Sequence, residues 1–131
     1  MARIRKRAAV LGSVLGLGLG VLAQGTAHAV SYTEYTSPSQ YGRATMNTTT
    51  HMLEIWDTDT DSRRVTAWVW NHSRGSVMVA VGSDANGNNG MPGYGTGSWN
   101  YSAGDSLEIE VCRQNGVGGP LDMCAWSFFT A

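Results

Sequence analysis

The feature that most limits the fold is a period of two. In Leu107-Glu108-Ile109-Glu110-Val111, apolar and acidic residues alternate without a break. One side of an extended chain is therefore apolar and the other carboxylate. The same pattern recurs at Val65, Ala67 and Val69 against Thr66, Trp68 and Trp70, and again at Val77, Val79 and Val81. Nowhere beyond residue 29 do apolar residues recur at three and four, the spacing an amphipathic helix needs. The expectation is an all-β domain.

Residues 1–29 stand apart. Arg3, Arg5, Lys6 and Arg7 precede an apolar, glycine-rich stretch over residues 8–22, and Ala27-His28-Ala29 offers small residues for cleavage. This is the pattern of an export signal, and its apolar part is shorter than the roughly 20 residues that span a bilayer. The expected product begins at Val30, is secreted to the extracellular space, and keeps no membrane attachment after cleavage. Residues 30–131 hold five arginines, no lysine and ten carboxylates, a formal charge of −5. Such a chain lacks the basic stripe that binds phosphate backbones, so nucleic acid is not an expected partner.

The 102 residues from 30 to 131 suffice for one core. Cys112 and Cys124, the only cysteines, are expected to form a structural disulfide in an oxidising compartment. Their spacing is not the C-x-x-C of a redox pair.

Along the chain, residues 30–38 read as an extended N-terminal arm or edge strand ended at Ser37-Pro38-Ser39, and residues 39–131 as the folded body. A short strand over 39–45 precedes a firm one within 48–56. An acidic turn and a return strand over 65–70 then complete what reads as a β-hairpin. Residues 71–75 turn the chain into a strand over 76–81. Residues 82–97, rich in glycine and asparagine, read as a long loop without a strand. A short strand over 99–101, a clean one over 107–112 and a last one over 123–130 follow. Short strands joined by turns predict a small two-sheet antiparallel β-sandwich with one disulfide. Its expected core is Leu53, Ile55, Val65, Ala67, Val69, Val77, Val79, Val81, Leu107, Ile109 and Val111, with either Trp126 and Phe128 or Ala125 and Phe129.

Chemistry is sparse. Asp57, Asp59 and Asp61 form a D-x-D-x-D run that invites a hard cation, but the glycine and closing glutamate of a calcium loop are missing. Glu108 and Glu110 leave one side of a strand, with nothing to make the cleft that a glycosidase pair needs. His51 and His72 lack a third ligand at metal spacing. No serine sits in a G-x-S-x-G elbow. The expectation is a non-enzyme without metal or cofactor.

The aromatic residues are the stronger lead. Five tryptophans and five tyrosines lie beyond residue 29. With the valines inside, Trp68 and Trp70 face outward beside Met78, as a binding surface for protein or sugar would. The competing reading puts these rings in a second part of the core or beneath the long loop. The N-terminal segment offers Val30, Tyr32 and Tyr35 either to its own sheet or to a partner. Expected partner-binding residues are therefore Val30, Tyr32, Tyr35, Trp68 and Trp70.

Several segments carry a resemblance: Tyr41-Gly42-Arg43-Ala44, the strand, acidic turn and strand over residues 53–70, Leu107-Glu108-Ile109-Glu110-Val111-Cys112-Arg113, and Cys124-Ala125-Trp126-Ser127. Together they resemble a group of small secreted β-sandwich proteins of Streptomyces and related actinobacteria, and most closely the small adaptor subunit of umbrella toxin particles. The resemblance implies an adaptor whose N-terminal segment enters a propeller-like lectin subunit while the protein also links to a large toxin-bearing subunit. The other readings are a secreted carbohydrate- or calcium-binding module and a small inhibitor presenting residues 82–97.

Overall fold

The computed structural model describes residues 30–131, and the export signal read in residues 1–29 lies outside the described residues. The strands are β1 (Ser31–Tyr35), β2 (Gly42–Asn47), β3 (Met52–Asp57), β4 (Arg64–Asn71), β5 (Val77–Asp84), β6 (Gly93–Tyr94), β7 (Thr96–Gly97), β8 (Ser106–Gln114) and β9 (Leu121–Thr130). They form two antiparallel sheets, ordered β1-β2-β3-β6 and β7-β5-β4-β8-β9. This is the two-sheet all-β architecture that the alternation predicts.

The sheets face each other through their apolar sides. Ala44, Met46, Leu53 and Ile55 of the first meet Val65, Ala67, Val69, Val79, Leu107, Ile109 and Val111 of the second, all fully buried or nearly so. Removing each larger side chain from water is worth roughly 1.5–3 kcal/mol. The Cys112–Cys124 disulfide joins β8 to β9, with Cα atoms 4.1 Å apart.

Three sequence expectations are corrected by this arrangement. First, β3 and β4 are not a hairpin, because they belong to different sheets. Alternation reports which side of a strand is apolar, and two strands facing one another across the core carry the same signature as two lying side by side. The acidic segment between them crosses from one layer to the other. It is held there by Asp61 on Arg113 at 3.0 Å and Arg63 on Asp122 at 2.8 Å.

Second, Val77 and Val81 leave the core. The register of β4 and β5 slips between Val69↔Ala80 and Trp70↔Met78, so Val79 and Ala80 both turn inward. Such a bulge reverses the side of every later residue, and Val81 consequently lies opposite Trp68 on the outside. Val77, at the strand's first position, is 41% exposed.

Third, residues 82–97 are not one loop. β5 runs on to Asp84, β6 pairs with β3, and β7 pairs with β5. Glycine permits this closure: a Cβ on Gly93 would lie 2.1 Å from the Ser83 carbonyl oxygen, and one on Gly97 2.0 Å from that of Val79. Residues 99–101 form no strand.

Of the two readings open for the N-terminal segment, arm or edge strand, this arrangement has the edge strand. β1 pairs along its whole length with β2, from Ser31↔Asn47 to Tyr35↔Arg43. Its inner side is fixed to the last strand, where Tyr32 stacks on Phe129 and its hydroxyl shares a 2.7 Å hydrogen bond with Ser127. Ser127 Oγ also donates to the Glu34 carboxylate.

Candidate interaction surface

The outer side of the five-stranded sheet is the chain's most unusual surface. Register fixes its layout. Trp68 on β4 lies opposite Glu110 on β8, which lies opposite Trp126 on β9. One step along, Trp70, Glu108 and Phe128 form a second row. Met78 and Val81 of β5 extend the two rows beyond Trp70 and Trp68. Facing side chains on neighbouring strands stand about 5 Å apart at Cβ, so each glutamate is flanked by two aromatic residues.

These rings are outside because β9 has smaller or already committed residues on its other side. Ala125, Ser127 and Phe129 point inward, and Phe129 is buried. Trp126 is 62% exposed and Phe128 58%, while Trp68 and Trp70, on a central strand, are half-buried. The disulfide borders the patch: Glu110 and both cysteines offer atoms within 4.8 Å of one another. Both sulfurs are spent in their mutual bond, so this grouping offers a metal only one carboxylate.

The two glutamates differ in setting. His72, in the short 3-10 turn His72–Arg74, places Nε2 2.5 Å from Glu108 Oε2. Its Nδ1 lies 3.0 Å from Ser76 Oγ, and its ring 5.2 Å from that of Phe128. The Glu110 carboxylate receives no N–H or O–H hydrogen bond among the described residues. Burial among its neighbours raises its pKa, and the Glu108 charge raises it further.

The expected partner-binding residues are divided between opposite sides of the sandwich. Trp68 and Trp70 join the patch. Val30 is half-buried against the core, Tyr32 is turned inward, and Tyr35 is 39% exposed on the outer side of the first sheet. There Tyr35 lies opposite Arg43 and Arg43 opposite Trp56, with the guanidinium 5.3 Å from the Trp56 ring centroid.

Trp126 and Phe128 are the surface residues that sequence reasoning left undecided. The signal that could have placed them is the disulfide itself. If Cys112 and Cys124 face each other across two antiparallel strands, then Glu110 faces Trp126 and Glu108 faces Phe128.

The acidic run is dispersed rather than gathered. Asp57 is 4% exposed, its Oδ1 accepts the Asp59 N–H, and its Oδ2 has no hydrogen-bond partner among the described residues. Burial, with smaller contributions from Asp84, Asp61 and Asp59, pushes its pKa up to about 6. Asp59 accepts from the Thr60 N–H, and Asp61 is occupied by Arg113. His51 stands apart from His72, stacked at 6.0 Å on Trp99.

No protein-family model, curated protein or solved structure matches the chain. The resemblance drawn from its short motifs rests on those motifs alone.

Proposed function

We propose that this chain is a secreted, non-enzymatic adaptor that holds other secreted proteins, in an antibacterial toxin particle of the umbrella type. The observation that carries the reading is the contiguous aromatic surface of Trp68, Trp70, Trp126 and Phe128 on one rigid sheet. Large apolar side chains left in water on a rigid support are what a docking partner covers. A sandwich also suits a link between two partners, since the outer sides of its sheets point in opposite directions. The second attachment would be the outer side and free edge of β1, near Tyr35, where a partner strand can add. The propeller-like lectin subunit and the large toxin-bearing subunit that the motifs imply would be the two partners. A formed disulfide agrees with an oxidising, extracellular location.

Affinity capture tests this. The protein and two variants, Trp126→Ser/Phe128→Ser and Tyr35→Ser, are immobilised and exposed to the producing organism's culture fluid. Adaptor action predicts two captured proteins, each lost with a different variant. An unchanged set with both variants, their melting being normal, contradicts it.

A further inference from the structure

We infer that the outer side of β4, β8 and β9 receives an extended basic segment of a partner protein, with two arginine or lysine side chains, two residues apart, ending on Glu108 and Glu110. The inference rests on reading this surface as a docking face and specifies what docks there.

Three features of the surface point to a cation. Each glutamate stands between aromatic neighbours, Trp68 and Trp126 for one and Trp70 and Phe128 for the other. Aromatic ring faces attract cations, so ring, carboxylate and ring together form a cation-selective arrangement. An apolar partner would instead bury the Glu110 carboxylate without a counter-charge, at considerable cost, since only Glu108 has His72 beside it.

The second feature is what the chain lacks. Residues 30–131 hold no lysine, so their cations are five arginines, and four of these are engaged elsewhere. Arg43 lies over Trp56, Arg63 and Arg113 hold Asp122, and Arg74 holds Asp105. Arg64 starts β4, four residues before Trp68. The first sheet therefore fills its own aromatic row with Arg43, while the second presents rings and carboxylates with His72 beside Glu108 and Arg64 on the same side at the far end of β4.

Spacing supplies the third feature. Glu108 and Glu110 are alternate residues of one strand, roughly 6.7 Å apart along it, the same repeat that separates alternate side chains of an extended peptide. A segment laid along β8 thus meets both carboxylates in register. The net negative charge of residues 30–131 steers such a segment inward.

The test is a tryptophan-fluorescence titration of the purified protein with acetyl-Ala-Arg-Ala-Arg-Ala-amide, its neutral citrulline counterpart, and a neutral oligosaccharide, at low salt. The inference predicts saturable binding of the arginine peptide, weakened at least tenfold by citrulline, by Glu108→Gln/Glu110→Gln and by high salt. Equal binding of both peptides, response to the sugar alone, or no binding of the arginine peptide overturns it. Culture-fluid capture separates this failure from that of the docking reading. A partner kept by Glu108→Gln/Glu110→Gln but lost with Trp126→Ser/Phe128→Ser leaves a docking face that is not cation-selective, whereas a partner indifferent to both variants removes the docking face as well.

Discussion

The Tyr32 ring lies flat on Phe129, with 4.8 Å between centroids and 4° between planes. This stack joins the first strand to the last across the open side of the sandwich. The N-terminal segment is thereby packed as part of the fold.

Tyr32→Ala should therefore cost about 2–3 kcal/mol, the loss of a partly buried aromatic contact together with its hydroxyl bond. Urea denaturation is expected to show a lower midpoint at unchanged slope. Deletion of residues 30–37, which a removable arm would tolerate, should lower the midpoint further.

The disulfide closes a short loop between β8 and β9, with a sequence separation of 12. Chain entropy makes that worth roughly 3 kcal/mol. Cys112→Ala/Cys124→Ala should lower the melting temperature by more than about 10 °C in a domain of this size. It should also loosen the row of Glu110 and Trp126, seen as broadened resonances of those residues.

Asp57 should make the protein less stable as pH rises. Its folded carboxyl titrates at about 6 because it is buried, above the ordinary value of about 3.9. The folded state consequently holds the proton more tightly than the unfolded state does. This favourable contribution is complete below about pH 4, is lost between about 4 and 6, and stays lost above. Asp105 and Asp122 act in the opposite sense, because Asn71 and Arg113, respectively, lead the interactions that hold their pKa values down. Comparison with Asp57→Asn isolates the first effect. The variant should equal the parent near pH 4 and exceed it by on the order of 2 kcal/mol at pH 7, as read by denaturation at each pH.

Gly97→Ala should destabilise by roughly 2 kcal/mol. Its Cβ would meet the Val79 carbonyl oxygen at 2.0 Å and the Ala80 Cα at 2.6 Å, both backbone atoms of β5. Strand β7 would have to lift from the sheet edge. Hydrogen exchange at the amides of residues 80 and 97 is the expected first change.

What the sequence made legible was the inner side of nearly every strand. Leu53, Ile55, Val65, Ala67, Val69, Leu107, Ile109 and Val111 are buried where alternation puts them. Alternation carries no information about which strands are neighbours, so β3 and β4 read as a hairpin although they face each other across the core. A one-residue bulge leaves no mark in a run of valines, and Val81 was misplaced by it. The strands β6 and β7 were hidden because they are built from glycines chosen for close backbone approach rather than from β-branched residues. Half of the candidate surface, Trp68 and Trp70, was visible on the same grounds as the core. The other half needed the register that the disulfide imposes on β8 and β9.

The aromatic rows should be covered when the protein is in its working setting. Hydroxyl-radical footprinting of the chain in the culture fluid of its producing organism, against the purified chain alone, measures this side chain by side chain. Strong protection of Met78, Trp126 and Phe128 is expected in the native fluid, with the loop residue Met91, 67% exposed, labelled equally in both. Equal labelling of Trp126 and Phe128 in the two samples would mean that no partner covers the aromatic rows.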